Sequence, residues 1–400
     1  MGPVPVAIEA SLLRRRALLE QGGFVALCGV AGALQFSIAA AQVLLTVACL
    51  CWVAILLVDR EAPEFPAFSW PLAAYVALTL VSTAFSPDPR ASLGAVKQMV
   101  LFLIIPVAYR FTTGPRASWM LTVIVTCAAA SAAVGLVQFG VFRYDNLHQR
   151  VQGTLGHYMT YSGLLMLVIG AALARVIFGG RERLWTALVV PALAVAMVMS
   201  LARTAAVGVC AAATLLLALK DFRLAALIPI LAALFLLVAP RLEPTTIAMR
   251  FASITDMKDA TIRDRFAMMR EGVHMIADHP FVGIGPNMVK ELYGQYRVPG
   301  AVNETNPHLH NVPLQIAAER GIPALAAWLA FVVAIVVGLA RRLRSPDLRY
   351  LAAAGLAAVT AMLTAGLFEY NFGDSEFLML FLILVTLPFA AEREARSLNA

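Results

Sequence analysis

Apolar runs near 20 residues recur along this chain, at roughly 22–37, 40–58, 69–85, 95–112, 118–140, 158–177, 184–200, 204–219, 222–240, 321–340, 350–368 and 376–391. As a helix, a run of that length covers about 30 Å of hydrocarbon. Lipid offers no hydrogen bonds, so a crossing segment must be a helix or part of a closed barrel. The residue-by-residue alternation of a barrel strand is absent, which leaves helices. Composition agrees: 14% of residues are charged, against about 25% in an ordinary soluble domain. The expectation is an all-α polytopic membrane protein with about 12 transmembrane helices.

Arg14, Arg15 and Arg16 precede an apolar stretch that continues through two membrane lengths without a clear cleavage site, so no cleaved signal is expected. Cys28, Cys49, Cys51, Cys127 and Cys210 all fall inside apolar runs, which implies neither a disulfide framework nor a cysteine zinc site. The net charge of +7 is distributed in a way that argues against nucleic acid. With a cytoplasmic N-terminus, the inside segments carry most of the Lys and Arg, including Arg181, Arg183, Lys220, Arg223, Arg341, Arg342, Arg344 and Arg349. This is the positive-inside bias, which is counted over short loops only. It puts the one long polar segment, 241–320, on the outer face, the periplasm of a Gram-negative cell. All six histidines then fall on that side.

The expected organisation is therefore 1–240 as membrane helices 1–9, with a small periplasmic insertion at 142–157; 241–320 as a large periplasmic loop; and 321–400 as membrane helices 10–12 with a cytoplasmic tail. The smaller insertion holds Arg143, His148, Arg150, His157 and the turn Gly153-Thr154-Leu155-Gly156. In the larger one, Thr261-Ile262-Arg263-Asp264 has the pattern of a capping box. Ile262, Phe266, Met269, Val273 and Ile276 follow at helical spacing, a stripe expected to pack on the membrane domain or lie at the lipid surface. Pro280 ends that helix, and Gly283-Ile284-Gly285-Pro286-Asn287 reads as a tight turn.

Two groups of residues are candidates for chemistry. Arg203 stands between apolar runs near the bilayer, where an arginine is costly and often functional, though it can also snorkel to headgroups. Arg263, Arg265 and Arg270 share its side of the membrane, and planar guanidinium groups suit bidentate binding of phosphate. The second group is His308-x-His310. Metal ligation and general-base catalysis compete as readings. Metal needs a third ligand, and the nearest acids in sequence, Glu304 and Glu319, do not form a recognised set with the histidines. A neutral imidazole is well suited to take a proton from a hydroxyl. No phosphate loop, dinucleotide fingerprint or Asp-x-Asp is present, and Asp374-x-Glu376 marks the edge of the last span. If a pyrophosphate is handled, arginines must stabilise it without a metal.

The ordered series Ser200-x-x-Arg203-Thr204, Arg265, His279-Pro280-x-x-Gly283-x-Gly285, His308-x-His310-Asn311 and Glu319-Arg320-Gly321 resembles the O-antigen ligase and polymerase superfamily, most closely its ligase branch. The resemblance spans the topology of the chain, with specific motifs mainly at 200–323. It implies a GT-C-like, all-helical membrane glycosyltransferase of the bacterial inner membrane. Such an enzyme moves a glycan from undecaprenyl diphosphate to a sugar hydroxyl of lipid A-core at the periplasmic face, with inversion and with no cofactor or metal. The resemblance implies that His310 is the base, and that Arg265 and Arg203 bind the diphosphate and stabilise its developing charge. His308 and Asn311 would orient His310 or contact sugar, Arg263 would join the substrate groove, and Arg143, Arg150 and His157 would complete the donor site.

An O-antigen polymerase or a protein O-oligosaccharyltransferase would share topology and motifs; the latter often has a larger C-terminal region, so length favours the first two. A lipid-linked glycan transporter or flippase is the non-enzymatic rival. It predicts charged residues at mid-span and broken helices, whereas the ionisable residues here gather at one face.

Overall fold

The computed structural model describes residues 6–144, 149–179, 182–242 and 260–397, and His148 lies outside them. Among the described residues the regular structure is helical. The helices are α1 (Val6–Ala33), α2 (Ile38–Asp59), α3 (Ser69–Ala84), α4 (Pro89–Val96), α5 (Ile104–Phe111), α6 (Pro115–Gly140), α7 (Tyr158–Phe178), α8 (Arg183–Met199), α9 (Arg203–Lys220) and α10 (Leu227–Leu242). After them come α11 (Ala260–Asp278), α12 (Val289–Tyr296), α13 (Val312–Arg342), α14 (Arg349–Gly366) and α15 (Ser375–Ser397). A 3-10 segment, Lys97–Leu103, joins α4 to α5.

A helix coincides with each of the expected apolar segments, and among the described residues eight helices are long and apolar enough to cross a membrane. Others fall short for local reasons. Helices α3 and α8 have 16 and 17 residues, short of the ~20 that a crossing needs. In α1 the apolar part begins only after Glu20 and ends at Ala33.

Helices α7, α14 and α15 form the centre, with 72%, 72% and 83% of their most apolar windows buried, against 28% for α2 and 22% for α9. Helix α14 packs on α7 and α9, α15 on α5, α7 and α14, and α13 on α3. Small residues let the backbones close up: Gly170 of α7 faces Ala357 of α14 and Ala212 of α9. This is how helices associate where lipid removes the hydrophobic incentive. Apolar side chains such as Leu50, Leu57, Leu188, Leu329 and Val333 point outward.

Four starts and turns meet at one end of this bundle and carry the candidate site. Helix α4 is started by Asp88, which accepts from the N–H groups of Arg90 and Ala91 at 3.0 and 3.1 Å, with Pro89 in the first turn. His157 caps α7. Asn311 caps α13, accepting from Leu314 N at 2.9 Å. The α14–α15 turn supplies Glu369 to Asp374.

Over that end lie α11 and α12, and their attachment is unusual. Helix α13 begins at Val312, earlier than the expected span start at 321, and is interrupted at Gly321, with φ 82° and ψ 167°. The interruption frees backbone groups, and the turn after α11 satisfies them. Ile284 and Gly285 donate to the carbonyls of Ala318 and Glu319 at 2.9 Å each, and Ile322 donates to Pro280 at 2.8 Å. A side chain at Gly283 or Gly321 would run into the facing backbone. This contact is why the His-Pro-x-x-Gly-x-Gly stretch and Glu319-Arg320-Gly321 both carry glycine.

Helix α11 differs from its sequence expectation in two respects. Asp264 does not close a capping box. Its oxygens accept from the backbone of Val302 and Asn303 and from the side chains of Asn303 and Asn306 at 2.7–3.3 Å, because that loop offers more donors than the helix start. The packed face is Asp264, Ala267, Met268, Glu271, Gly272 and Met275. The stripe of Phe266, Met269 and Val273 faces out, the lipid-surface alternative of the two expected.

Candidate active site at the polar end of the bundle

His308 and His310 are presented by a short irregular stretch with bends at Pro307, His308 and His310. Between them Leu309 is buried against Met268, Met275 and Ile284, and its N–H donates to Gln315 Oε1 at 2.7 Å. The two imidazoles lie together, with ring centroids 4.4 Å apart. His310 has φ 48°, a left-handed conformation that a residue with a side chain adopts at a cost and that gathers at functional sites. Asn311 locks the geometry. Besides capping α13, its Nδ2 donates to Leu367 O at 3.0 Å, which ties the histidine stretch to the end of α14.

That tie brings in a residue that sequence reasoning missed. Glu369 Oε1 lies 2.9 Å from His310 Nδ1 and 3.4 Å from His308 Nε2, and it accepts from Tyr370 N at 3.1 Å. Oε2 makes no hydrogen bond, and Arg265 Nη2 stands 3.9 Å from it. Burial works to raise the Glu369 pKa, but the hydrogen bonds and charges of the two histidines outweigh it and hold the carboxyl down at about 2. Glu369 is therefore ionised across the neutral range. One signal was available: the expected spans 350–368 and 376–391 leave this glutamate in a turn on the histidines' side.

His310 lines two cavities. The larger, about 830 Å³, also touches His157, Thr160, His308, Arg320, Glu369 and Asp374, and its deeper wall includes Leu101, Met166 and Phe377. The smaller, about 190 Å³, is lined by Thr261, Asp264, Arg265 and Asn303 among others. The imidazole is thus the shared wall between a large amphiphilic chamber and a small polar one beside Arg265. Across the large chamber, Thr160 donates to Asp374 Oδ2 at 2.5 Å and lies 3.2 Å from His157 Nδ1, a second polar group of which the sequence offered His157 alone.

Residues 187–329 match the family model described as O-antigen ligase. Over that stretch the chain is similar to the O-antigen ligase family. No curated protein compared with the chain matches it. The likeness supports a function broadly of the O-antigen ligase or polymerase type, and the long apolar helices support a multi-pass membrane protein. The family region includes Arg203, Arg265, His308 and His310, and ends before Glu369 and Asp374.

The structure sorts the expected site residues. His308, His310 and Glu369 form one cluster, with Arg265 at its edge; His157 faces the same large chamber. Arg203 is nearly buried as the first residue of α9, and its neighbours Thr204 and Ala205, though not Arg203 itself, line that chamber. Arg263 and Arg143 are exposed and line neither cavity. Arg150 stacks over Tyr158, 4.2 Å from the ring centroid, outside both cavities. Asn311 bonds to backbone at both amide atoms, Oδ1 accepting from Leu314 N and Nδ2 donating to Leu367 O. The third metal ligand that the local sequence lacked is Glu369, since one ligand atom from each of His308, His310 and Glu369 lies within 4.8 Å of the others.

Proposed function

We propose that this chain is an O-antigen ligase that transfers a glycan from undecaprenyl diphosphate to a sugar hydroxyl of lipid A-core, at the periplasmic end of the bundle, with inversion and without a metal. The carrying observation is the 2.9 Å contact between His310 Nδ1 and an ionised Glu369. With Nδ1–H donating to the carboxylate, the lone pair of the neutral imidazole lies on Nε2. Nε2 takes the proton of the acceptor hydroxyl as its oxygen bonds to the anomeric carbon. The bond from that carbon to the diphosphate oxygen breaks on the opposite face, and its electron pair leaves with undecaprenyl diphosphate. Arg265 stabilises that charge, joined by Arg203 from the start of α9. Planar guanidinium groups in a site shielded from water do this well. The apolar deeper wall of the large chamber suits the first isoprene units, and the polar chamber beside Arg265 the diphosphate. The twelve-crossing, GT-C-like arrangement with 241–320 outside belongs to the same reading.

The test is reconstitution. Purified protein with lipid-linked glycan and lipid A-core should form the joined product, and EDTA should not diminish it. Transport of the donor without bond formation, or a requirement for added metal, would overturn the reading. A deletion strain should show truncated surface lipopolysaccharide while still making polymerised lipid-linked glycan. Loss of polymerisation itself would identify a polymerase.

A further inference from the structure

The His308–His310–Glu369 cluster has the geometry of a divalent metal site, although the proposed chemistry needs none. Tetrahedral zinc with bonds of about 2.0–2.1 Å keeps neighbouring ligand atoms about 3.4 Å apart. Glu369 Oε1 lies 3.4 Å from His308 Nε2 and 2.9 Å from His310 Nδ1. All three ligand atoms lie within 4.8 Å of one another. Two imidazoles and one carboxylate with an open fourth position is a donor set that zinc accepts, whereas magnesium and calcium favour all-oxygen sets. The fourth direction is available, because all three residues line the large chamber. Arg265, an opposing charge, faces the other carboxylate oxygen, Oε2, at 3.9 Å.

We propose that these three residues bind Zn²⁺ and that binding switches the transferase off. This rests on His310 being the base. In the metal-free state Nδ1 carries the proton and Nε2 the lone pair. A metal at Nδ1 occupies that nitrogen's lone pair, so the single proton of the neutral ring must sit on Nε2. The imidazole then has no acceptor for the hydroxyl proton. Inhibition needs no change of fold, because the metal replaces the two histidine contacts of Glu369 with bonds to the same atoms. Oxygen-loving cations should not act this way, so zinc inhibition should persist in excess magnesium.

The experiment uses the full chain, purified and stripped with EDTA, with Co²⁺ as the spectroscopic probe and Zn²⁺ as competitor. One Co²⁺ per chain should give the intense visible bands of a tetrahedral site, displaced by one equivalent of Zn²⁺. His308→Ala and Glu369→Gln should each lose the bands. Equimolar Zn²⁺ should lower glycan transfer at least tenfold, and EDTA should restore it. Absence of stoichiometric tetrahedral cobalt in the wild-type chain overturns the metal site, with no variant needed. Bands that persist in both variants also overturn it. Binding that leaves turnover unchanged overturns the switch. An active His310→Ala variant instead removes the base reading, which the cobalt spectrum of the wild-type chain does not test, so the two failures are distinguishable.

Discussion

Glu319 and Glu369 are largely buried carboxylates on the wall of one cavity, and they are held in opposite ways. Glu319 Oε2 pairs with Arg320 Nη1 at 2.8 Å, and the Glu319 carbonyl receives Gly285 N and Ser82 Oγ. Its neighbourhood is closed, and it pins the break in α13 to the loop above. Glu369 concentrates three donors on Oε1 and leaves Oε2 without a hydrogen bond. A buried ion pair of this kind neutralises its own charges within one segment. A carboxylate shared between two imidazoles, with an oxygen still open toward an arginine, is arranged to control protons.

The largest test of this contrast is His310→Ala, expected to cut transfer by about 10²–10⁴-fold while the protein folds and still binds donor; near-normal turnover in a reconstituted assay would end the base assignment. Glu369→Gln should lower kcat by about 100-fold with little change in melting temperature, because the amide no longer fixes the imidazole proton on Nδ1. Arg265→Lys should lose at least about tenfold, since a point charge cannot replace the planar fork; full activity would show that charge alone matters. Glu319→Gln should reverse the pattern. It leaves Arg320 buried without its ionised partner, a change that costs about 3–5 kcal/mol, and the effect should be read in thermal unfolding before turnover. If Glu319→Gln and Glu369→Gln affect stability and turnover alike, the distinction between the two carboxylates fails.

Much of the architecture was legible because a bilayer imposes a length scale on sequence: a run from 158 to 177 can be read without knowing its neighbours. The count of crossings was less legible, since Ser69–Ala84 and Arg183–Met199 are apolar throughout yet short. The histidine pair was legible as a pattern, and His310 does stand where two cavities meet. Its partner was not, because Glu369 is brought close by contacts between segments far apart in sequence, such as Asn311 bonding to Leu367 O. In α11 the apolar periodicity left open whether its stripe packs; Phe266, Met269 and Val273 are exposed, while Ile276 packs. The face that packs is fixed by Asp264 and by the small residues Ala267 and Gly272, and hydrophobic spacing does not register either.

The break at Gly321 has a mechanical consequence. The loop above the bundle is not hung from a flexible tether, because its turn supplies hydrogen bonds that a membrane helix has forgone. Removing that turn would strand the carbonyl of Ala318 and the N–H of Ile322 and take one donor from the Glu319 carbonyl. The two parts therefore move as one lever, and a tilt of α13 would carry His308 and His310 with it. Changes in bilayer thickness or tension should reach the reacting hydroxyl through the backbone itself.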